Sequence, residues 1–558
     1  MKRQTKRRRN AFWAAALGTF AAFALSTASA SAQTGAFDWK VDKTGATLVG
    51  VKDKKITTAR IPATFNDKPG VAVGFQAFRN CAELETVELP EGLTTIRIRA
   101  FDRCFALKSV AFPASLKTID DEAFAYCQAL KTVEFPKNSA LTRIGPGAFI
   151  DCRSLETVAL PDGLTTLERG AFSWCRALKS VELPASLTTI DETAFWVCES
   201  LESVEFPEGL TTIKRSAFSS CKALKTVEFP ASLQTLGEYA FSNCESLKSF
   251  SVAPGSTTFR AVDGVLFSAD GKTLVLYPPG RDDAEYRVPD GTERIADKAF
   301  LECKTLKTID LPPSLTAIDA NAFSGCAALE TVAIPAATAT VGVGAFANCE
   351  SLKSFSVASG STAFRAVDGV LFSADGKTLV SYPFGRDDAE YRVPPGTERI
   401  ADQAFAERPA LQSVVFPSGK TTIGEKAFYR CGALKSVAFP AGGATIERDA
   451  FGYCQALKKL AFEAGPTTVG VSAFEGCSAL QRVEFADGLT KLEYRAFGNC
   501  DSLGIVALPA SLAEIGRGTF EDLDEDGGQY DLKIVAPDGS FAAKYAERNG
   551  FRRAAPEE

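Results

Sequence analysis

The chain of 558 residues contains no histidine. That absence removes Ser-His-Asp triads, Cys-His pairs and histidine-ligated metals as routes to chemistry. No two of its cysteines stand at the C-x-x-C spacing that zinc sites use, and no glycine-rich phosphate-binding motif occurs. After the first residues there is no run of 18 or more uninterrupted apolar residues, so no transmembrane helix is expected. An N-x-[ST] sequon is missing too, which suits a bacterial source. Paired carboxylates are present, as in any acidic chain. The expectation is a protein that is not an enzyme and carries no cofactor.

What is present begins with an export signal. "MKRQTKRRRN" is basic, "AFWAAALGTFAAFAL" is apolar, and "ASASAQ" offers A-x-A cleavage sites. Residues 1–32 are therefore expected to be removed. Subtracting the six basic residues of that segment from a net charge of −6 takes the mature chain to −12. Such an acidic protein is a poor nucleic-acid binder. The chain is expected to be exported, either secreted or held at the cell surface, with the periplasm as the alternative, and to show no membrane insertion after cleavage. No lipid-modified cysteine, LPxTG sequence or hydrophobic tail is visible to anchor it.

The rest is repetitive. An "AF" pair recurs with its phenylalanine at 78, 101, 124, 149, 172, 195, 218, 241, 300, 323, 346, 405, 428, 451, 474, 497 and, after Thr519, at 520. Most steps are 23 residues; one is 25 and two are 59. The unit reads A-F-x-x-C-x-x-L-x-x-V-x-[FL]-P-x-x-L-x-x-[IL]-x-x-x. One such turn cannot enclose a core, but stacked turns bury one another's apolar positions. In "LKSVELP", Leu178, Val181 and Leu183 are expected to point inward and Ser180 and Glu182 outward, with Pro184 ending the strand. About twenty turns at ~4.8 Å give a rod or arc of roughly 100 Å. Residues 245–302 and 350–407 match almost letter for letter at an offset of 105. Their "LFSADGKTLV" segments read as hairpins, and the two expanded turns are expected to preserve the stack, with a grafted binding loop as the alternative.

These units resemble the BspA-type leucine-rich repeat family. The resemblance implies a mainly β, right-handed leucine-rich repeat solenoid of 23-residue units with parallel stacked strands, two hairpin-containing long units near 253–298 and 358–403, and capped ends. The expected organisation is a β-rich N-terminal lead-in and cap at 33–76, the solenoid at 77–519, and a C-terminal cap and tail at 520–558. Within the last, Ser540 is a natural helix N-cap and Gly550 a helix stop. The resemblance also implies a function, because members of the family are associated with binding host matrix proteins and other cells. A structural or periplasmic scaffold with no host ligand is the alternative, favoured by the near-identity of the turns.

All fifteen cysteines occupy one repeat position, three residues after the phenylalanine. Equivalent positions on stacked turns lie at strand spacing, whereas a disulfide needs Cβ atoms about 3.8 Å apart, and an odd total leaves a thiol over. A column of buried free thiols is expected. The residues that face outward are the candidates for a partner: Ser180, Glu182, Ser203, Glu205, Thr226 and Glu228, in three consecutive turns with like charges stacked. Their partner is expected to be a protein of the extracellular matrix or a cell surface. A weaker signal is "DLDEDGGQYD", where Asp522, Asp524 and Asp526 begin like a calcium loop but Lys533 stands where a bidentate Glu is needed. The alternative there is an acidic surface turn.

Overall fold

The computed structural model describes residues 34–520, apart from 463, 465 and 467, and residues 532–554. The export segment at 1–32 and the acidic run with Asp522, Asp524 and Asp526 lie outside the described residues. The chain forms a mainly β parallel solenoid of about 21 turns, with repeat positions superposed every 23 residues. Each turn contributes two short strands. Ser180–Glu182 pairs with its neighbours in register, Thr157 opposite Ser180 and Ser180 opposite Ser203. Thr189–Ile190 does the same in the second sheet, between Thr166 and Thr212. A period-2 strand in exact-repeat register keeps every apolar column on one side, since a one-residue slip would turn the whole column outward.

The corner holds the turns together. Ring centroids of successive phenylalanines lie close and nearly parallel, Phe149 to Phe172 at 5.2 Å and 4° and Phe428 to Phe451 at 5.0 Å and 2°. The fully buried alanine before each ring, such as Ala171 and Ala194, leaves the space the next ring needs. The backbone at the corner is demanding. Two residues per turn, two before and two after the phenylalanine, take left-handed φ: Thr193 at +53° and Val197 at +61° flank Phe195. Side chains other than glycine rarely occupy that region. They are held there because their N–H groups bond to the next turn, Thr193 to Arg215 O at 3.1 Å and Val197 to Ser219 O at 2.9 Å.

All fifteen thiols are free and buried. They do more than fill space. Cys198 Sγ donates to Phe172 O at 3.2 Å, 26 residues earlier, and Cys221, Cys326 and Cys454 donate in the same way to Phe195, Phe300 and Phe428. Most of these phenylalanine carbonyls also accept the N–H of their own turn's cysteine, as Cys175 N–H to Phe172 O at 3.3 Å. The thiol satisfies the second lone pair of a carbonyl sealed inside the corner. At position 408 arginine stands in for cysteine, and its Nη2 makes the same bond to Tyr382 O at 2.9 Å.

The long units differ from the sequence expectation. Each is a three-stranded antiparallel element, Phe259–Val262 with Val265–Ser268 with Thr273–Leu276, and its counterpart Phe364–Val367, Val370–Ser373 and Thr378–Ser381. The first connection is a tight turn at Asp263-Gly264, both with positive φ. The solenoid passes through these elements on a few backbone bonds, Phe250 N–H to Gly264 O at 2.8 Å and Gly280 N–H to Leu247 O at 3.0 Å in the first. Among the described residues both sheets stop and restart there, and the apolar interior divides into three cores that run from Phe37 to Leu266, Val265 to Leu371 and Val370 to Ala546. The strand Val265–Ser268 is the partition. Leu266 faces the first core, while Val265 and Phe267 face the second. Each new stack opens on a tyrosine: Tyr277 lies on Phe300 at 4.8 Å and Tyr382 on Phe405 at 4.6 Å. The tyrosine ring can take the buried corner because its hydroxyl finds a partner there. Tyr277 Oη donates to Asp283 at 2.6 Å, and Tyr382 to Asp388.

The ends close with different devices. At the N-terminal end Phe37–Val41 runs antiparallel to Ala46–Val51, which leads into Lys68–Val73 and the first turn, and Phe37 meets Phe78 edge-on at 5.9 Å. At the other end Lys533–Val535 extends the front sheet, and the helix Phe541–Arg548 covers the last core with Ala542 and Ala546. Ser540 caps that helix by accepting the Ala543 N–H at 3.1 Å, and Gly550 follows its end at φ +75°.

Candidate protein-binding face

The front sheet presents its outward columns to solvent because alternation leaves them no other place. In Ser180–Glu182 Val181 is buried, Ser180 half-buried and Glu182 exposed. Ser203, Glu205, Thr226 and Glu228 are exposed. Next to these residues the long side chains pair from turn to turn: Lys108 with Glu85 at 2.6 Å, Lys179 with Glu156 at 2.9 Å, and Lys225 with Glu202 at 3.1 Å. The Lys179 hydrogen bond holds the Glu156 carboxyl below its ordinary value. Being exposed, such pairs are worth well under ~1 kcal/mol each. Their effect on the face is to neutralise that column.

The neighbouring acidic column is not neutralised evenly. Glu88 is bridged by Arg60 at 3.0 Å and Glu484 by Lys459 at 3.2 Å. Among the described residues Glu134, Glu182 and Glu228 have no ion pair. The face therefore carries exposed carboxylates inside a row of hydroxyls.

The six candidate residues fall on two sides of a break in the sheet. The ladder that begins in the N-terminal lead-in ends at Ser203–Val204, and Thr226–Phe229 begins a new one with Ser249–Val252. At this step the backbone bond from Lys225 N–H to Glu202 O stretches to 3.4 Å, against 2.8 Å for the equivalent Lys179 to Glu156. The rings below open as well, Phe206 to Phe229 at 6.2 Å against 4.8 Å for Phe112 to Phe135. Ser180, Glu182 and Ser203 thus share one ladder and Thr226 and Glu228 belong to the next.

No group of three His, Cys, Asp or Glu side chains is placed to hold a metal ion among the described residues. No helix among them is long and apolar enough to cross a membrane. Reading the sequence missed the clefts at the two stack junctions. The one usable signal was the spacing, because Tyr277 and Tyr382 stand 23 residues before Phe300 and Phe405 and mark turns that the "AF" count skipped.

The solved structures similar to this chain include a leucine-rich cell surface protein from Faecalibacterium prausnitzii A2-165. It is 24% identical over 87% of this chain and 94% of its own, with a TM-score of 0.36. The pneumococcal vaccine antigen PcpA is 20% identical over 93% and 96%, with a TM-score of 0.35. A leucine-rich repeat protein from Eubacterium ventriosum ATCC 27560 is 19% identical over 78% and 91%, with a TM-score of 0.37. No curated protein sequence gives a significant match. The family model described as BspA type leucine rich repeat region (6 copies) matches residues 52–179, 165–262, 284–367 and 398–525. With well over half its length matched, and with the corner, thiol column and paired strands repeated along it, the chain belongs to the BspA-type leucine-rich repeat family.

Proposed function

We propose that this chain is an exported, non-enzymatic recognition and adhesion protein that binds a protein of the extracellular matrix or a cell surface through its front sheet. The observation that carries the reading is the exposed row of hydroxyls with the unbridged carboxylates of Glu134, Glu182 and Glu228. A flat repeated surface of this kind offers many weak contacts over a large area, which suits an extended protein partner better than a small molecule. Its acidity favours a partner with a basic patch, because complementary charge sets encounter rate and register. Family membership and the basic, apolar and A-x-A segments at the N-terminus support the same reading.

The test has two parts. Protease treatment of intact producing cells should remove the protein, and the purified protein should bind at least one immobilised matrix protein with salt-sensitive affinity. A protein that is shielded in intact cells and binds none of them would favour the structural or periplasmic scaffold.

A further inference from the structure

The two stack junctions are built from duplicated sequence, and they are not alike. Between residues 245–302 and 350–407 only seven of 58 aligned positions differ. Three of the seven differences line both junction clefts: Leu276, Lys298 and Leu301 in the first become Ser381, Gln403 and Ala406 in the second. A fourth, Pro279 in the first cleft, becomes Phe384, whose ring lies on Arg408. Just outside the matched block, Tyr239 becomes Gly344 and Cys303 becomes Arg408.

The first junction is plugged. Lys298 Nζ bridges to Glu238 at 3.1 Å and lies over the Tyr239 ring at 4.8 Å. The second junction lacks that plug, and its cleft measures about 370 Å³ against about 270 Å³ for the plugged one, beside which the first junction keeps another of about 400 Å³ lined by Pro279, Gly280, Arg281 and Glu302. The second junction gained a buried cation. Arg408 is 4% exposed and has no ion pair among the described residues. One N–H of Nη1 goes to Ala406 O at 2.8 Å and one of Nη2 to Tyr382 O at 2.9 Å, while Nε has no partner. Phe384 covers the guanidinium at 4.5 Å. A guanidinium has five N–H donors. Two are used, and Nε is buried with no partner among the described residues. Burial lowers the Arg408 pKa to about 10, which leaves it charged at neutral pH. A buried unpaired charge is costly, and the duplicate shows that a cysteine fits the same corner without that cost.

We propose that the second junction cleft binds a small monocarboxylate, held by the N–H donors of Arg408 that its two backbone bonds leave free. The planar fork of an arginine matches a carboxylate. Two acids in the lining disfavour a dianion: Asp402, already held by Arg399 at 2.8 Å, and Glu407, 3.7 Å from Arg430. Asn321, Ser324, Asn348 and Gln403 line the rest and can take a hydroxyl or amino group on the same molecule. The volume lies at the small end of ligand sites. This site goes beyond the sheet-face reading and does not depend on it.

The probes are acetate, lactate and inorganic phosphate, titrated calorimetrically into the purified protein. Acetate and lactate should bind and phosphate should not. Arg408→Cys should weaken carboxylate binding at least tenfold and keep the thermal melt, because it restores the residue used in fifteen other turns. Gly344→Tyr with Gln403→Lys rebuilds two groups of the first junction's plug without touching Arg408, and should abolish binding as well. It carries the test should the first variant fail to fold. Carboxylate binding that survives both changes, a preference for phosphate, or no binding up to tens of millimolar would overturn the proposal.

Discussion

Thirteen of the fifteen corner cysteines donate their thiol to a phenylalanine carbonyl of the preceding turn, most of them to one whose first lone pair is already taken. That is a polar task inside an apolar column, and it explains why alanine does not replace them. Cys198→Ala should cost about 1–2 kcal/mol, from one lost hydrogen bond and a small cavity, read as a lower urea midpoint. Burial holds the thiols neutral: it pushes Cys244 and Cys477 up to about 12 and Cys431 to about 11. In the unfolded chain a thiol ionises near pH 8.5. The stability these thiols contribute is fully present below that pH and is lost as pH rises toward 12. The urea midpoint should therefore fall steeply from pH 8.5 to 10.5, and a flat profile there would contradict buried thiols. The column itself was legible from spacing. The bond was not, because its acceptor lies 26 residues away and is defined only once the turns are stacked. The left-handed corner positions were hidden for another reason: Thr193, Trp174 and Val197 occupy them as well as glycine. At Gly170, φ +62°, an added Cβ meets nothing closer than 3.6 Å. Gly170→Ala should thus show the backbone cost alone, about 1 kcal/mol in the same assay.

Among the elements, the strand Val265–Ser268 departs most from the repeat rule. A front strand alternates, but this one is buried at Val265, Leu266 and Phe267 because it has a core on each side. Leu266→Ala should loosen the stack before it and Phe267→Ala the stack after it, each by about 2–5 kcal/mol. Amide exchange should report the damage on opposite sides of the junction; equal loss on both sides would argue for a single continuous core. The sequence announced a hairpin here through Gly271 but concealed the second one. Asp263-Gly264 is a strong turn pair, yet the continuous apolar run beside it reads equally as one strand of an ordinary turn. The broken stack was beyond reach of periodicity, since a count of phenylalanines cannot see a tyrosine doing the same work.

For the whole molecule, repetition separates two populations of side chain. Phenylalanine, cysteine, leucine and valine make three cores, and hydroxyls and carboxylates make the exposed front face. Of six face residues picked from one strip of sequence, the outward direction followed from alternation alone. The ladder break between Ser203–Val204 and Thr226–Phe229 did not, because the residues on its two sides are nearly the same. Neither did the pairing pattern that, among the described residues, leaves Glu182 and Glu228 without counter-ions. In the proposed function this face, and not the thiol column, meets the partner. The most direct test compares the parent protein with the combined variant Glu182→Lys, Glu205→Lys and Glu228→Lys for binding to immobilised matrix proteins, with Arg408→Cys as a matched control. At least a tenfold loss of affinity is expected for the triple variant, with an unchanged thermal melt and a control that binds like the parent. Equal binding by all three proteins would contradict that reading.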